Sequence, residues 1–294
     1  MNLRDLKYLV AVAEYEHFGK AADACFVSQP TLSMQIKKLE ETLGVILIER
    51  TNKSVLFTEI GRAIVAQAQE VLHQAQSLKE LARQATNPFS GSLHLGIIPT
   101  LAPYLCPRMV PALSARFPDL TLCLVEEKTE NLMKKLSQGK LDAAILALPL
   151  KEDSFITEIL FEEKFLLATP MNHPLAKRKK IALSDLENET LLLLDDGHCF
   201  RDQALAVCQR VHATESKQFQ ATSLETLRYM VASHAGITLM PALSCRDNDG
   251  VCYREFHGTQ PSRTLGMVWR QASAKKKLLQ ELVGEIKNFR PQLT

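Results

Sequence analysis

The chain has 294 residues, 46% of them hydrophobic, with 35 lysines and arginines against 33 carboxylates and a formal net charge of +2. That length and apolar content suffice for more than one core and exclude a disordered or low-complexity chain. No apolar run is long enough for a membrane span, and seven cysteines without a signal peptide fit a reducing, cytoplasmic setting.

From the N-terminus, residues 21–25 read as a short helix flanked by Phe18 and Val27. Ser28 is an N-cap candidate, Pro30 is tolerated in a first turn, and Val27 with Leu32 matches a hydrophobic staple. Leu32, Ile36, Leu39 and Leu43 recur at helical spacing as one buried stripe, and Pro30, Thr31, Met34, Lys37 and Lys38 point away from it. Two short helices with a tight turn, the second showing small polar and basic residues outward, predict a helix-turn-helix. Residues 45–50 and 55–57, either side of Thr51-Asn52-Lys53-Ser54, predict a two-stranded wing that completes a reading head over residues 1–58. In those residues seven cations face seven carboxylates, so any contact with phosphate must come from local placement. A small helical protein-interaction domain is the alternative, and it leaves the outward polar face unexplained.

Residues 59–86 predict a long helix. Ile64, Val71 and Leu78 repeat every seven residues, as do Ala68, Ala75 and Ala82, which is the a and d seam of a coiled coil and so a dimer interface. Residues 87–92, rich in turn formers, read as a hinge. From Leu93 onward strands alternate with helices: strands near 92–98, 120–125, 141–148, 165–169, 191–194, 237–240 and 265–269, helices over 100–117, 131–138, 223–233 and 274–289. This is an α/β pattern with open sheets, and its length predicts two lobes. Ligands bind such sheets beyond the carboxyl ends of the strands, where Thr100 and Thr129 stand. Either threonine is a pocket hydroxyl or merely a helix cap.

The segment 195–208 carries the sharpest chemistry. Asp196-Gly197 is a turn signal, so Cys199 falls at a helix N-terminus, where exposed N–H groups and the dipole favour a thiolate. His198 and Arg201 add positive charge, Asp202 opposes it, and Cys208 falls on the apolar face. Nine residues of helix separate the α-carbons by about 13.5 Å, whereas a disulfide needs about 4.4–6.8 Å. Oxidation of this pair therefore requires the helix to unwind. Two unrelated cysteines, one in a loop and one in a core, are the plainer reading of that segment alone.

Phe18-Gly19-Lys20-Ala21-Ala22, Val27-Ser28-Gln29-Pro30-Thr31-Leu32-Ser33 and Leu39-Glu40-Glu41-Thr42-Leu43-Gly44 closely resemble the reading head of the LysR-type transcriptional regulators. Gly96-Ile97-Ile98-Pro99-Thr100, Gly139-Lys140-Leu141-Asp142, Asp196-Gly197-His198-Cys199, Cys208 and 221–228 resemble the peroxide-sensing members of that family. The resemblance implies a winged helix-turn-helix, a linker helix and a two-lobed, periplasmic-binding-protein-like effector domain. Lobe I would cover about 93–162 and 268–294, and lobe II about 163–267. It implies a peroxidatic Cys199, a resolving Cys208, and a peroxide pocket of Thr100, Thr129, His198, Asp202 and Arg263. It places DNA contacts at Ser28, Gln29, Pro30, Thr31, Ser33, Gln35, Lys37, Arg50 and Lys53. Expected partners are double-stranded promoter DNA, RNA polymerase, hydrogen peroxide as signal, a thiol reductant such as glutaredoxin or thioredoxin, and further copies of the chain in a tetramer. No cofactor, metal or enzymatic turnover is expected. A regulator gated by a small anionic effector, with incidental cysteines, and a thiol peroxidase are the alternatives. Cys245 and Cys252 flank a turn-rich loop and could pair, bind metal or do neither, while Cys25, Cys106 and Cys123 sit in apolar patterns that suggest core.

Overall fold

The computed structural model describes residues 1–50, 55–84, 87–150 and 154–289, and excludes the side chains of 50, 77, 79–84, 217 and 218. It divides into two units, Met1–Thr86 and Asn87–Thr294.

In the first unit, α1 (Leu3–Tyr15), α2 (Phe18–Ala24) and α3 (Gln29–Leu43) surround Leu9, Val12, Ala21, Leu32, Ile36 and Leu39. Three side chains start these helices by taking up orphan N–H groups. Asn2 forms a capping box with Asp5, His17 Nδ1 accepts from Gly19 and Lys20, and Ser28 Oγ accepts from Thr31. The His17 cap explains why α2 begins at Phe18 rather than at Ala21, and α1 is a third helix beyond the two read from the sequence. Gly44, at φ 71°, ends α3. Glu40 Oε1 accepts the Leu47 and Ile48 N–H groups at 2.8 and 3.2 Å, so α3 holds the entry to the wing. The wing pairs β1 (Ile48–Arg50) with β2 (Val55–Phe57), antiparallel, Ile48 opposite Phe57.

The long helix α4 (Glu59–Gln84) packs on α1. The expected seam is divided between two faces. Ala68 is buried in the unit's own core and Ile64 packs against it, while Ile60, Val71 and Leu78 form an exposed stripe. Spacings of eleven and seven residues keep that stripe on one face. Ala82 lies outside the described side chains.

In the second unit the chain runs β3 (Gly91–Ile97), α5 (Ala102–Arg116), β4 (Leu120–Glu126), α6 (Thr129–Ser137), β5 (Ala143–Leu148) and β6 (Phe155–Pro170). It continues through β7 (Lys180–Ile181), β8 (Thr190–Leu194), α7 (Cys199–Arg210), β9 (Thr214–Ala221), α8 (Leu224–Ala232) and β10 (Thr238–Pro241). The last elements are β11 (Val251–Phe256), β12 (Ser262–Arg270) and α9 (Lys276–Lys287). Strand order is β4-β3-β5-β12-β6-β11-β7, with β10 also on β6. β8 and β9 pair in parallel beside β10.

Two cores result. One gathers β3, β5, β12, α5, α6 and α9, and the other gathers β8, β10, α7 and α8. The strand β6 belongs to both: residues 155–164 pair with β12, and 165–170 with β10 and β11. The Phe165 N–H donates to Pro261 O at 2.8 Å, tying the two chain crossings together. The return crossing comes earlier than the expected 268. β12 pairs with β5 from Thr264, and Leu265 and Met267 are buried in the first core. Antiparallel pairing with two neighbours carries the whole strand into the first lobe. β7, β9 and β11 are strands the sequence reading did not name; β11 starts at Val251, so the turn-rich loop between Cys245 and Cys252 stays a loop up to Gly250.

A Cβ at Gly61 would lie 2.2 Å from Leu47 O, a backbone atom, whereas at Gly284 it would meet nothing within 4 Å. Gly61→Ala should therefore destabilise the first unit by about 1–3 kcal/mol. Gly284→Ala should be neutral or stabilise α9 by up to about 1 kcal/mol. Calorimetric unfolding of both variants checks this; equal effects would contradict it.

Candidate functional site

The turn 195–198 leads from β8 into α7, which begins at Cys199 with His198 as N-cap. Gly197 makes the turn at φ 86°, and a Cβ there would meet Lys128 Cδ at 3.2 Å. Lys128 Nζ donates to Asp195 Oδ2 at 3.0 Å and to Asp196 O at 2.6 Å. The start of α7, in the second lobe, is thus tied to the start of α6, in the first.

The two cysteines of α7 have different surroundings. Cys199 is half-buried and packs against the first core, while Cys208 is 2% exposed within the second. Burial raises the Cys208 thiol above its ordinary value. Both thiols are free, and both lie in the twelve residues of α7. A regular helix places their α-carbons about 13.5 Å apart, beyond any disulfide.

Arg201 fastens the first turn of α7. Its guanidinium donates to Leu194 O at 2.9 Å and to both oxygens of Glu215 on β9, at 2.5 and 3.0 Å. Hydrogen bonding to Arg201 holds the Glu215 carboxyl below the usual carboxylate range. His198 is 4% exposed. Its Nε2 lies 3.0 Å from Asp195 Oδ1, yet that oxygen has no hydrogen-bond partner, so the contact is close but poorly directed. Burial first, and then the Lys128 charge, push the imidazole below its ordinary value against the pull of Asp195.

The facing wall is a buried ionic cluster. Arg263 on β12 stands opposite Glu163 on β6 and donates through Nε to Glu163 Oε2 at 2.7 Å. Its Nη1 donates to Thr100 Oγ1 at 2.8 Å and its Nη2 to Thr100 O at 3.1 Å. Glu163 is fully buried, and its other oxygen accepts the Leu243 N–H at 2.9 Å. The guanidinium also lies over the Phe200 ring, 5.6 Å from its centroid. The cluster therefore meets α7 at the residue after Cys199.

The structure brings Thr100, His198 and Arg263 into the buried polar set. Thr129 is the first residue of α6, and its buried Oγ1 has no hydrogen-bond partner. Neither threonine caps a helix: Leu101 and Lys128 occupy those cap positions. Asp202 is exposed in the first turn of α7 and stands outside the buried set. Glu163 was missed from sequence, although a carboxylate beside apolar Phe165–Ala168 was its available signal.

On α3, Ser28, Gln29, Pro30 and Lys37 are exposed, while Thr31, Ser33 and Gln35 are half-buried. Thr31 Oγ1 is 2.8 Å from Ser28 Oγ. The Arg50 side chain and all of Lys53 lie outside the described residues. Of the remaining thiols, Cys25 and Cys106 are half-buried and pack against the cores of their units, and Cys123 is half-buried. Burial and then Glu126 raise Cys106 to about 11. Cys245 and Cys252 are unpaired, their sulfurs lying 3.5 and 3.7 Å from Pro241 O and Ala176 O respectively. Among the described residues no cluster of three or more His, Cys, Asp or Glu could hold a metal.

Residues 3–62 match the bacterial regulatory helix-turn-helix protein, lysR family, and residues 86–290 match the LysR substrate binding domain. The chain belongs to the LysR family of DNA-binding transcriptional regulators. Within that class it is 50% identical over 290 residues to a hydrogen peroxide-inducible genes activator of Pectobacterium carotovorum subsp. carotovorum, covering 98% of this chain and 96% of the relative. The fold matches full-length OxyR from Pseudomonas aeruginosa, a cysteine-to-aspartate variant, with TM-score 0.81 and 39% identity over 98% of this chain and 95% of that one. A hydrogen peroxide-bound cysteine-to-serine variant of Corynebacterium glutamicum OxyR matches with TM-score 0.67 and 34% identity, over 98% and 92% of the two chains.

Glu163→Gln removes the charge that Arg263 faces in a dry site, and should cost about 3–5 kcal/mol in chemical denaturation of the second unit. Thr100→Ala, which leaves the ion pair intact, should cost less. His198 supplies a pH test. Its folded value is depressed, so its stability contribution is present above the unfolded value of about 6.5. That contribution falls as pH drops from there through the folded value. Denaturation midpoints of the native chain should decline over that window more steeply than those of His198→Gln.

Proposed function

We propose that this chain is a transcription activator of peroxide-response genes, switched by oxidation of Cys199 and its joining to Cys208. Residues 1–58 read promoter DNA, the helix over 59–86 pairs two copies, and residues 93–294 sense the oxidant. The observation that carries the reading is the placement of two free thiols on one helix, one turned toward the first lobe and one sealed in the second.

The chemistry balances with peroxide as the oxidant. The Cys199 sulfur, as thiolate, attacks one peroxide oxygen, the O–O bond breaks, and the departing hydroxide takes up a proton to leave as water. Cys199 is then a sulfenic acid. The Thr129 hydroxyl, buried without a partner, and the Thr100–Arg263 pair are donors and dipoles suited to the developing negative charge. His198, held toward its neutral form, is a proton-handling group beside the sulfur. Asp202, in the same turn, is a candidate acid for the following step. The Cys208 thiol then attacks the Cys199 sulfur, a second water leaves, and a disulfide forms.

That second step cannot occur on an intact α7. Cys208 must leave its core, Phe200 must leave Arg263 and Phe165, and the Arg201–Glu215 clamp must open. The refolded segment is the signal passed to neighbouring copies in the assembly, here taken as a tetramer, and through DNA to RNA polymerase. A dithiol reductant of the glutaredoxin or thioredoxin class reverses it by thiol–disulfide exchange. The protein works in the cytoplasm, and among the described residues no helix is long and apolar enough to cross a membrane. A thiol peroxidase would not use the reading head.

Intact mass after a stoichiometric peroxide pulse should fall by two hydrogens, and peptide mapping should join Cys199 to Cys208. Hydrogen exchange across α7 should rise on oxidation. Cys199→Ser should abolish both changes, and Cys208→Ser should stop at the sulfenic acid. A Cys199→Ser chain that still activates fully in response to peroxide would overturn the reading.

A further inference from the structure

α3 has one buried face, made by Leu32, Ile36 and Leu39, and one exposed stripe that includes Pro30, Met34, Lys37 and Lys38. Pro30 lies one turn before Met34, and the two lysines one turn after it. Met34 is 60% exposed in the middle of that stripe. A large apolar side chain there contributes nothing to the core of its own unit. α3 is the second helix of the helix-turn-helix, whose N-terminal part reaches base edges in the major groove, and Met34 lies in its second turn, facing outward.

The thioether has no donor and only a weak acceptor. It cannot read the guanine, adenine or cytosine edges, whose major-groove features are donors and acceptors. The thymine C5-methyl is apolar, and a flexible, polarisable side chain packs well against it. Lys37 and Lys38, exposed one turn further along, are placed for phosphate, where a mobile ammonium suffices and no base is read.

We infer that Met34 is a specificity-determining residue that reads a thymine methyl in each half-site. This rests on the DNA-reading role of α3. The unbranched side chain sets a preference at one base step, and the lysines set affinity without sequence preference.

The full chain is used to select duplexes from random-sequence DNA. In the best duplex each thymidine is then replaced singly by deoxyuridine, which lacks only the methyl, and binding is measured by fluorescence anisotropy at one salt concentration. One position per half-site should lose about fourfold in affinity, the worth of one buried methyl-sized group. Met34→Ala should bind more weakly and be indifferent to deoxyuridine at that position alone. Lys37→Ala should weaken binding to every duplex alike, keep the deoxyuridine penalty, and lower the salt slope by about one. The inference is overturned if no replacement weakens the native chain, if the selected half-sites hold no thymine, or if Met34→Ala keeps the full penalty. Failure to enrich any duplex would overturn the DNA-reading role as well, which separates the two failures.

Discussion

The rise of a helix is the constraint on which the rest of this molecule depends. With α7 intact, its backbone hydrogen bonds hold two thiols at a separation that no side-chain rotation can close. The sulfurs are separated by ordinary secondary structure, without strain or a special barrier. Their joining therefore reports on the whole segment. Any oxidant that unites them must also dissolve the contacts of Phe200, Arg201 and Cys208. A local two-electron reaction at this pair would thereby become a change in a whole helix and its packing.

The cost of that change is set by what α7 leans on. Its first turn is fastened by Glu215 through Arg201 within the second lobe, and the turn leading into it by Lys128 from the first. Phe200 rests on Arg263, whose charge is answered by Glu163 and Thr100 in a site closed to water. Buried ion pairs are weak devices for stability, because desolvation offsets much of their attraction. This one stands where β6 and β12 pass between the lobes. There it fixes the orientation of Arg263 and Thr100 against Phe200, the residue after Cys199, which is a use that an apolar pair could not serve.

In the first unit the physical problem is different. The expected reading head has no net charge, so its attraction to DNA depends on arrangement rather than excess. Helix caps and the Glu40 bridge to the wing make that arrangement rigid. α4 divides its apolar residues between that unit's core and an exposed stripe of Ile60, Val71 and Leu78. One helix can thus both complete a domain and offer a face to a second copy.

Much of this was legible in the residues. Local signals marked the turn at Gly197, the N-cap at Ser28 and the alternation of strands and helices, because capping and periodicity act over a few neighbours. The incompatibility of Cys199 and Cys208 on one helix was legible too, since it follows from rise per residue alone. What required the tertiary structure was every relation between distant segments. Glu163 and Arg263 lie a hundred positions apart and meet only because β6 and β12 pair in one register. The same folding left the Thr129 hydroxyl buried and unbonded, set Asp202 out in solvent, and returned the chain to the first lobe earlier than the family resemblance implied. Side-chain burial and partnership are properties of assembled surfaces, and no pattern within a single segment contains them.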